Sequence, residues 1–348
     1  MDKAANFCNS IILKSFLYCF KISTMLIFIL SLPEFTTIYG VACISCHFNT
    51  QGSGLRNENG WGQQQIYLPI YNKKKEDLIK YKINNSVFYG SDIRIFYLRI
   101  RDSSYIFPMQ TDFYINYKPT SSIDIYAKLG LRGLYEAFAV LWNIFFLNTY
   151  IKGGLFLPNY GLRYEDHTYF TRDYLDNRII DRYFNRFETG GFEIGYAYET
   201  YQISFSIMNS WGNFPLFLPE NQVITTNNFK IFHLKERYNV LLGLTGIYKD
   251  ENNYVFGGYG GFGLTNKIST ILEYSKYPNF NVLTTILRYI FKRGIHAVLS
   301  YDFSSENNQS RIGGGISLFY IPNLEIMTRY YYYFNSFGFL AFSLHFGF

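Results

Sequence analysis

Cys43, Cys46 and His47 stand together as Cys43-Ile44-Ser45-Cys46-His47, and their spacing dictates a chemistry more directly than any other feature of this chain. The sequence has four cysteines, but Cys8 and Cys19 lie in an apolar N-terminal region, which leaves Cys43 and Cys46. Two thiols three residues apart, followed at once by a histidine, form the attachment sequence for haem c. Each thiol adds to one vinyl group, and the imidazole is then directed at the iron. The pattern implies one haem c, with Cys43 and Cys46 as its covalent anchors and His47 as the proximal iron ligand. Three other chemistries use paired cysteines. A redox pair calls for a thioredoxin-like βαβ context, which is missing. A zinc site calls for further Cys or His ligands nearby. A disulfide between residues this close would constrain little of the chain.

The second axial ligand of such an iron is open among His167, His233, His296, His345, Met109, Met208 and Met327, and Met and His would give different potentials. His167 is the first choice, because Asp166 could orient its ring. Asp166 and Arg163 could equally form a loop ion pair. Gly52, Gly54, Gly60 and Gly62 would let the backbone approach a flat macrocycle, or would make a flexible linker. No Ser-His-Asp constellation, Walker loop or dinucleotide fingerprint is present, and Gly257–Gly263 reads as strand.

What must position these residues follows from the rest of the chain. Lys3, Lys14 and Lys21 precede an apolar run from Ile22 to Leu32, and Gly40-Val41-Ala42 come just before Cys43. Residues 1–42 therefore read as a secretory signal peptide, with Met25 as an alternative start. A retained inner-membrane anchor and a lipoprotein signal ending at Cys43 are the competing readings. Residues 43–83 form a short haem-c segment, too small to enclose a haem in a core of its own, so the fold built by the rest of the chain must supply part of the pocket. The full chain carries 32 basic and 26 acidic residues, a net charge of +6. Such mild basicity suits anionic lipid head groups and is too weak for nucleic acid.

From residue 84 to 348 the pattern is period two. Aromatic residues make up 21% of the chain, with 34 Tyr and 35 Phe, yet only nine Pro. Leu340, Phe342, Leu344, Phe346 and Phe348 alternate with Ala341, Ser343, His345 and Gly347. Ile123, Ile125, Ala127, Leu129 and Leu131 alternate with Asp124, Tyr126, Lys128, Gly130 and Arg132. Grease on one face and charge on the other, in segments of spanning length, predicts an all-β transmembrane antiparallel barrel. A soluble sandwich carrying a haem is the other fold with this pattern. Tyr330–Tyr333 would sit in an interfacial girdle. Candidate strands lie at 87–101, 107–118, 121–133, 144–157, 187–199, 200–211, 236–248, 253–265, 267–276, 280–292, 294–304, 309–320, 322–333 and 337–348. These are about 14 strands, with 12 to 16 allowed, and 158–186 is a loop that is either extracellular or folded inward.

Two stretches carry a resemblance. Residues 43–60, Cys-Ile-Ser-Cys-His-Phe-Asn-Thr-Gln-Gly-Ser-Gly-Leu-Arg-Asn-Glu-Asn-Gly, resemble the head of bacterial outer-membrane proteins that fuse a monohaem c-type cytochrome segment to a porin-like β-barrel. Residues 154–168, Gly-Leu-Phe-Leu-Pro-Asn-Tyr-Gly-Leu-Arg-Tyr-Glu-Asp-His-Thr, are similar to a strand-and-loop element of those fusions. The terminal Phe348 resembles the aromatic signal by which such barrels are inserted. The resemblance implies electron transfer at the outer membrane, with the haem segment on the periplasmic side or in the lumen. A periplasmic electron-transfer cytochrome and an extracellular donor or acceptor would be its partners. The alternative function is a passive diffusion porin for small solutes, anions among them, with Lys128, Arg132, Arg288, Arg311 and Arg329 lining the lumen. A haem enzyme with an open iron position is the third reading.

Overall fold

The computed structural model describes residues 34–52, 54–71, 79–130, 133–162, 189–210, 222–234, 238–306, 308–334 and 337–347. Among them run sixteen strands. In chain order these are β1 (Val87–Ile100), β2 (Ser103–Thr120), β3 (Ile123–Gly130), β4 (Gly133–Trp142), β5 (Thr149–Leu155), β6 (Thr189–Tyr198), β7 (Tyr201–Ser210) and β8 (Val223–Leu234). The second half comprises β9 (Tyr238–Asp250), β10 (Asn253–Leu264), β11 (Ile268–Lys276), β12 (Asn281–Lys292), β13 (Ile295–Ser304), β14 (Gln309–Ile321), β15 (Leu324–Tyr333) and β16 (Gly338–Gly347). Every strand pairs antiparallel with its sequence neighbours, and β1 closes on β16 from Asp92↔Gly347 to Ile100↔Phe339. Closure leaves no unpaired sheet edge.

Alternation sorts the side chains as expected. On β15, Glu325, Met327, Arg329 and Tyr331 turn inward and are buried, while Thr328, Tyr330 and Tyr332 are exposed on the outside. On β16, Ser343 and His345 are inward, and Leu340, Leu344 and Phe346 are outward. No helix among the described residues is long and apolar enough to cross a membrane.

The count of about fourteen strands is corrected to sixteen, because β4 and β8 do not show the alternation of their neighbours. On β4 the inward positions Phe138 and Val140 are apolar, as the outward Leu141 is, because material inside the barrel packs on them. On β8 the polarity fails on the outside: Thr226, Asn228 and Lys230 face outward along with Ile224 and Phe232. The expected strand at 144–157 is also corrected. Residues 143–148 form a turn, and only Thr149–Leu155 is strand.

The interior is filled from the N-terminal side. A short helix α1 (Glu34–Tyr39) packs on β9, β10 and β11, a 3₁₀ turn spans Cys43–Ser45, helix α2 (Glu58–Gly62) follows, and a π-turn spans Gln63–Tyr67. Thr37 Oγ1 lies 2.5 Å from Ser269 Oγ, and Asn239 Nδ2 donates to the Thr37 carbonyl at 2.8 Å. At the exit, Gln64 Nε2 donates to the Gly347 carbonyl, and Ile70 N to Phe319 O at 2.7 Å. The described residues from Glu34 to Gln65 thus pack against the inner wall, and Ile66–Tyr71 leave over the rim at β14, where Tyr67 and Tyr71 are exposed. The export reading for residues 1–33 falls outside the described residues, whereas 34–42, assigned to the same signal, include α1.

Candidate functional site

Cys43, Ile44 and Ser45 form a single 3₁₀ turn, Cys46 closes it as the C-cap, and His47 leaves it to bridge antiparallel with Arg56. The amides of Cys46 and His47 both donate to the Cys43 carbonyl at 3.1 Å. The turn places the two cysteines at its two ends, near enough for each thiol to feel the other's charge. Two devices hold the turn. Residues 47 and 56 bridge antiparallel, and Phe48 N donates to Leu55 O at 3.1 Å, closing a small hairpin. Asn57 caps α2 by accepting from Asn59 N and Gly60 N, and its Nδ2 donates back to the Ile44 carbonyl at 3.1 Å. Gly52, at φ +78°, sits where a Cβ would fall 2.6 Å from Cys43 Cβ. Gly54, at φ +66°, abuts Tyr126 and Tyr114 of the wall. Both glycines serve this hairpin, whereas Gly62 has open space around it.

Burial pushes the Cys46 thiol up to about 11, with the nearby Cys43 adding to the rise and Arg56 opposing it. At neutral pH Cys46 is therefore a protonated thiol. Cys43 and Cys46 are not joined by a disulfide. Among the described residues no group of three or more His, Cys, Asp or Glu is arranged to hold a metal ion. Two thiols at the ends of one turn, with an imidazole directly after, are the residue types that covalent haem attachment uses.

The tip of the hairpin is fastened to the wall by charge. Lys152 on β5 and Glu193 on β6 are direct cross-strand partners, 2.9 Å apart and both fully buried. Lys152 Nζ donates to Thr50 Oγ1 at 3.1 Å, and Thr50 Oγ1 donates to Glu193 Oε1 at 3.2 Å. Gln202 Nε2 donates to the Thr50 carbonyl at 2.7 Å, and Gln51 Nε2 to the Leu157 carbonyl at 3.0 Å. Tyr150 and Ser206 complete the shell around the carboxylate at 2.9 and 3.1 Å. At the other end of the segment, Glu34 of α1 meets Arg288 on β12 at 3.3 Å.

The connection after β5 also turns inward over its described part. Asn159 Nδ2 donates to Ser204 Oγ at 2.7 Å, Gly161 N to Thr245 Oγ1 at 3.0 Å, and Tyr160 Oη to Ser275 Oγ at 2.9 Å. Residues 156–162 thereby run along the inner faces of β7, β9 and β11.

The described ones among the basic residues expected in the lumen point inward, and Lys128, Arg288 and Arg311 each meet a carboxylate there. Lys128 pairs with Asp112 at 2.9 Å and Arg311 with Asp302 at 2.6 Å, while Arg329 donates to Tyr331 Oη at 3.2 Å. Arg132 lies outside the described residues, as do His167, Arg163, Asp166 and Phe348. The other candidate iron ligands are scattered. His345 bridges Asp92 at 2.8 Å and Glu325 at 3.3 Å, and His296 stands beside Arg288. His233 meets Asn239 at 2.8 Å near an exposed turn. Met208 and Met327 belong to the inward apolar cluster on which Met109, Ile44 and Phe48 also pack. Sequence reasoning missed Lys152, Glu193, Glu34 and Asp302. Opposite charges at inward positions of successive strands were the available signal for Lys152 and Glu193.

No family model and no curated protein matches this chain. Solved structures do. A mutant of the porin of Rhodopseudomonas blastica superposes with a TM-score of 0.53 at 11% identity, covering 75% of this chain and 100% of that one. A triple mutant of the same porin gives 0.52 at 11% identity over the same shares. The chain is a closed, sixteen-stranded, antiparallel β-barrel with a porin-like fold.

Proposed function

We propose that this chain is a bacterial outer-membrane barrel that passes small hydrophilic solutes by diffusion, through a lumen narrowed by the N-terminal segment that packs inside it. The observation that carries this reading is the sorting of residues across a closed wall, mostly apolar outside, with charged and hydroxylic side chains inside beside an apolar cluster, in the fold that porins use. Because Lys128, Lys152, Arg288 and Arg311 each face a carboxylate, charge selection is expected to be weak. The test is swelling of proteoliposomes in sugars of graded size. Swelling that falls off steeply with sugar size supports a narrow pore, and rates equal to protein-free vesicles for every sugar count against it.

A second reading is favoured by one observation, the placing of Cys43 and Cys46 at the two ends of one 3₁₀ turn with His47 directly after it. Cys43 and Cys46 would hold haem c through two thioethers and His47 would ligate its iron. Bound there, the group supplies one-electron redox chemistry. The residues of this chain would hold the attachment turn by the Asn57 cap and fasten its hairpin through Lys152 and Glu193. A periplasmic cytochrome and an extracellular donor or acceptor would be the electron partners. A reduced-minus-oxidised spectrum of the heat-denatured protein, from cells equipped for haem c maturation, decides this. One c-type haem per chain, lost in Cys46→Ser, supports it; a spectrum without haem removes it and leaves the diffusion pore.

A further inference from the structure

The end of the barrel that carries the start of β1 and the end of β16 has a row of connecting turns, and one differs from the others. Most are short and polar: Ser121-Ser122 joins β2 to β3, Glu199-Thr200 joins β6 to β7, and Arg293-Gly294 joins β12 to β13. Between β4 and β5 stand instead Asn143-Ile144-Phe145-Phe146-Leu147-Asn148. Phe145, Phe146 and Leu147 are 65%, 63% and 71% exposed.

The turn is built to hold this shape. Asn143 and Asn148 take left-handed backbone conformations at φ +60° and +66°, which Asn tolerates better than most residues. Asn148 N donates to Asn143 Oδ1 at 2.8 Å. Thr149 Oγ1 accepts from the amides of Phe145 and Phe146 at 3.2 and 3.3 Å and donates to the Phe146 carbonyl at 2.6 Å. Ala197 N donates to the Asn148 carbonyl at 3.0 Å, which ties the turn to β6. The Phe146 ring lies 6.1 Å from that of Tyr196, an outward-facing residue of β6. The apolar turn is therefore continuous with the outer apolar surface formed by Leu141 and Ile194.

We propose that the β4–β5 turn is a bilayer anchor, with Ile144, Phe145, Phe146 and Leu147 entering the acyl region of the adjoining leaflet. The occupant is lipid because the patch extends the surface that already faces lipid. Amphipathic surfaces with clustered Phe and Leu enter the boundary between head groups and acyl chains in this way. The inference rests on the membrane placement proposed above.

The experiment uses the full chain reconstituted in phosphatidylcholine vesicles, with acyl chains either unmodified or brominated. Leu147→Trp is compared with Thr200→Trp on the neighbouring polar turn, each after subtraction of the three native Trp. The added emission of Leu147→Trp is expected to fall about twofold or more in brominated lipid, while that of Thr200→Trp changes little. Phe145→Trp, an aromatic replacement, repeats the measurement should Leu147→Trp fail to insert. Equal, weak quenching at both turns in a heat-modifiable, inserted barrel overturns the anchor and leaves membrane placement standing. A wild-type chain that never inserts overturns both.

Discussion

Lys152 on β5 and Glu193 on β6 face each other across one rung of the barrel at 2.9 Å, with no solvent access to either, and both reach Thr50 at the tip of the internal hairpin. One ion pair thus joins wall to contents. Its charges are matched by hydroxyl and amide partners, the condition under which a buried pair is tolerated. Glu193→Gln leaves the Lys152 ammonium buried without its counter-charge and is expected to cost about 3–5 kcal/mol. Replacing both residues, by Lys152→Met with Glu193→Leu, should recover most of that loss. Urea titration followed by tryptophan fluorescence measures both. A single variant as stable as the wild type would mean that the pair contributes nothing to the fold.

The hairpin should be separable from the wall. Gly54 has a positive φ, and a side chain there would meet Tyr126 and, at 3.2 Å, Tyr114. Gly54→Val is expected to displace the hairpin and raise the swelling rate for larger sugars. The sixteen strands should keep the wild-type heat-dependent gel mobility, because their ladder is made without residue 54. Loss of the barrel itself would show that the hairpin is integral to it.

Cys46 supplies a pH test. Its thiol is held up to about 11, mainly by burial and then by Cys43. The reactive thiolate is therefore scarce at pH 8, and maleimide labelling should climb through the range up to about 11. Cys43→Ser removes one of the raising influences, so the labelling curve should move to lower pH. Unfolded chain should label from near the ordinary thiol value of 9. Complete resistance of both thiols at every pH, in protein carrying a haem absorbance, is the outcome expected of the thioether reading instead.

The wall of this protein is readable from residue order wherever one face meets lipid and the other meets charge. β15 and β16 alternate without interruption, and the burial of their inward residues follows the alternation. Legibility fails where that contrast fails. Phe138 and Val140 on β4 are apolar because they belong to a packed interior cluster and do not face water, with Phe156 of the inward-turning connection against the Phe138 ring. Ile144–Leu147 have the composition of a strand, so the run reads as one, and only the Asn143 and Asn148 conformations with the Thr149 cap reveal a turn. The turn at Cys43–Ser45 is local, whereas the fastening of its hairpin through Lys152, Glu193 and Gln202 depends on residues more than 100 positions downstream.

The most direct test of a narrowed diffusion pore is single-channel conductance in planar bilayers, wild type beside Gly54→Val and Glu193→Gln. Small unitary steps are expected from the wild type and larger ones from both variants, since each loosens the hairpin from its seat. Wild-type steps as large as those of the variants, or no steps from any of the three, would contradict it.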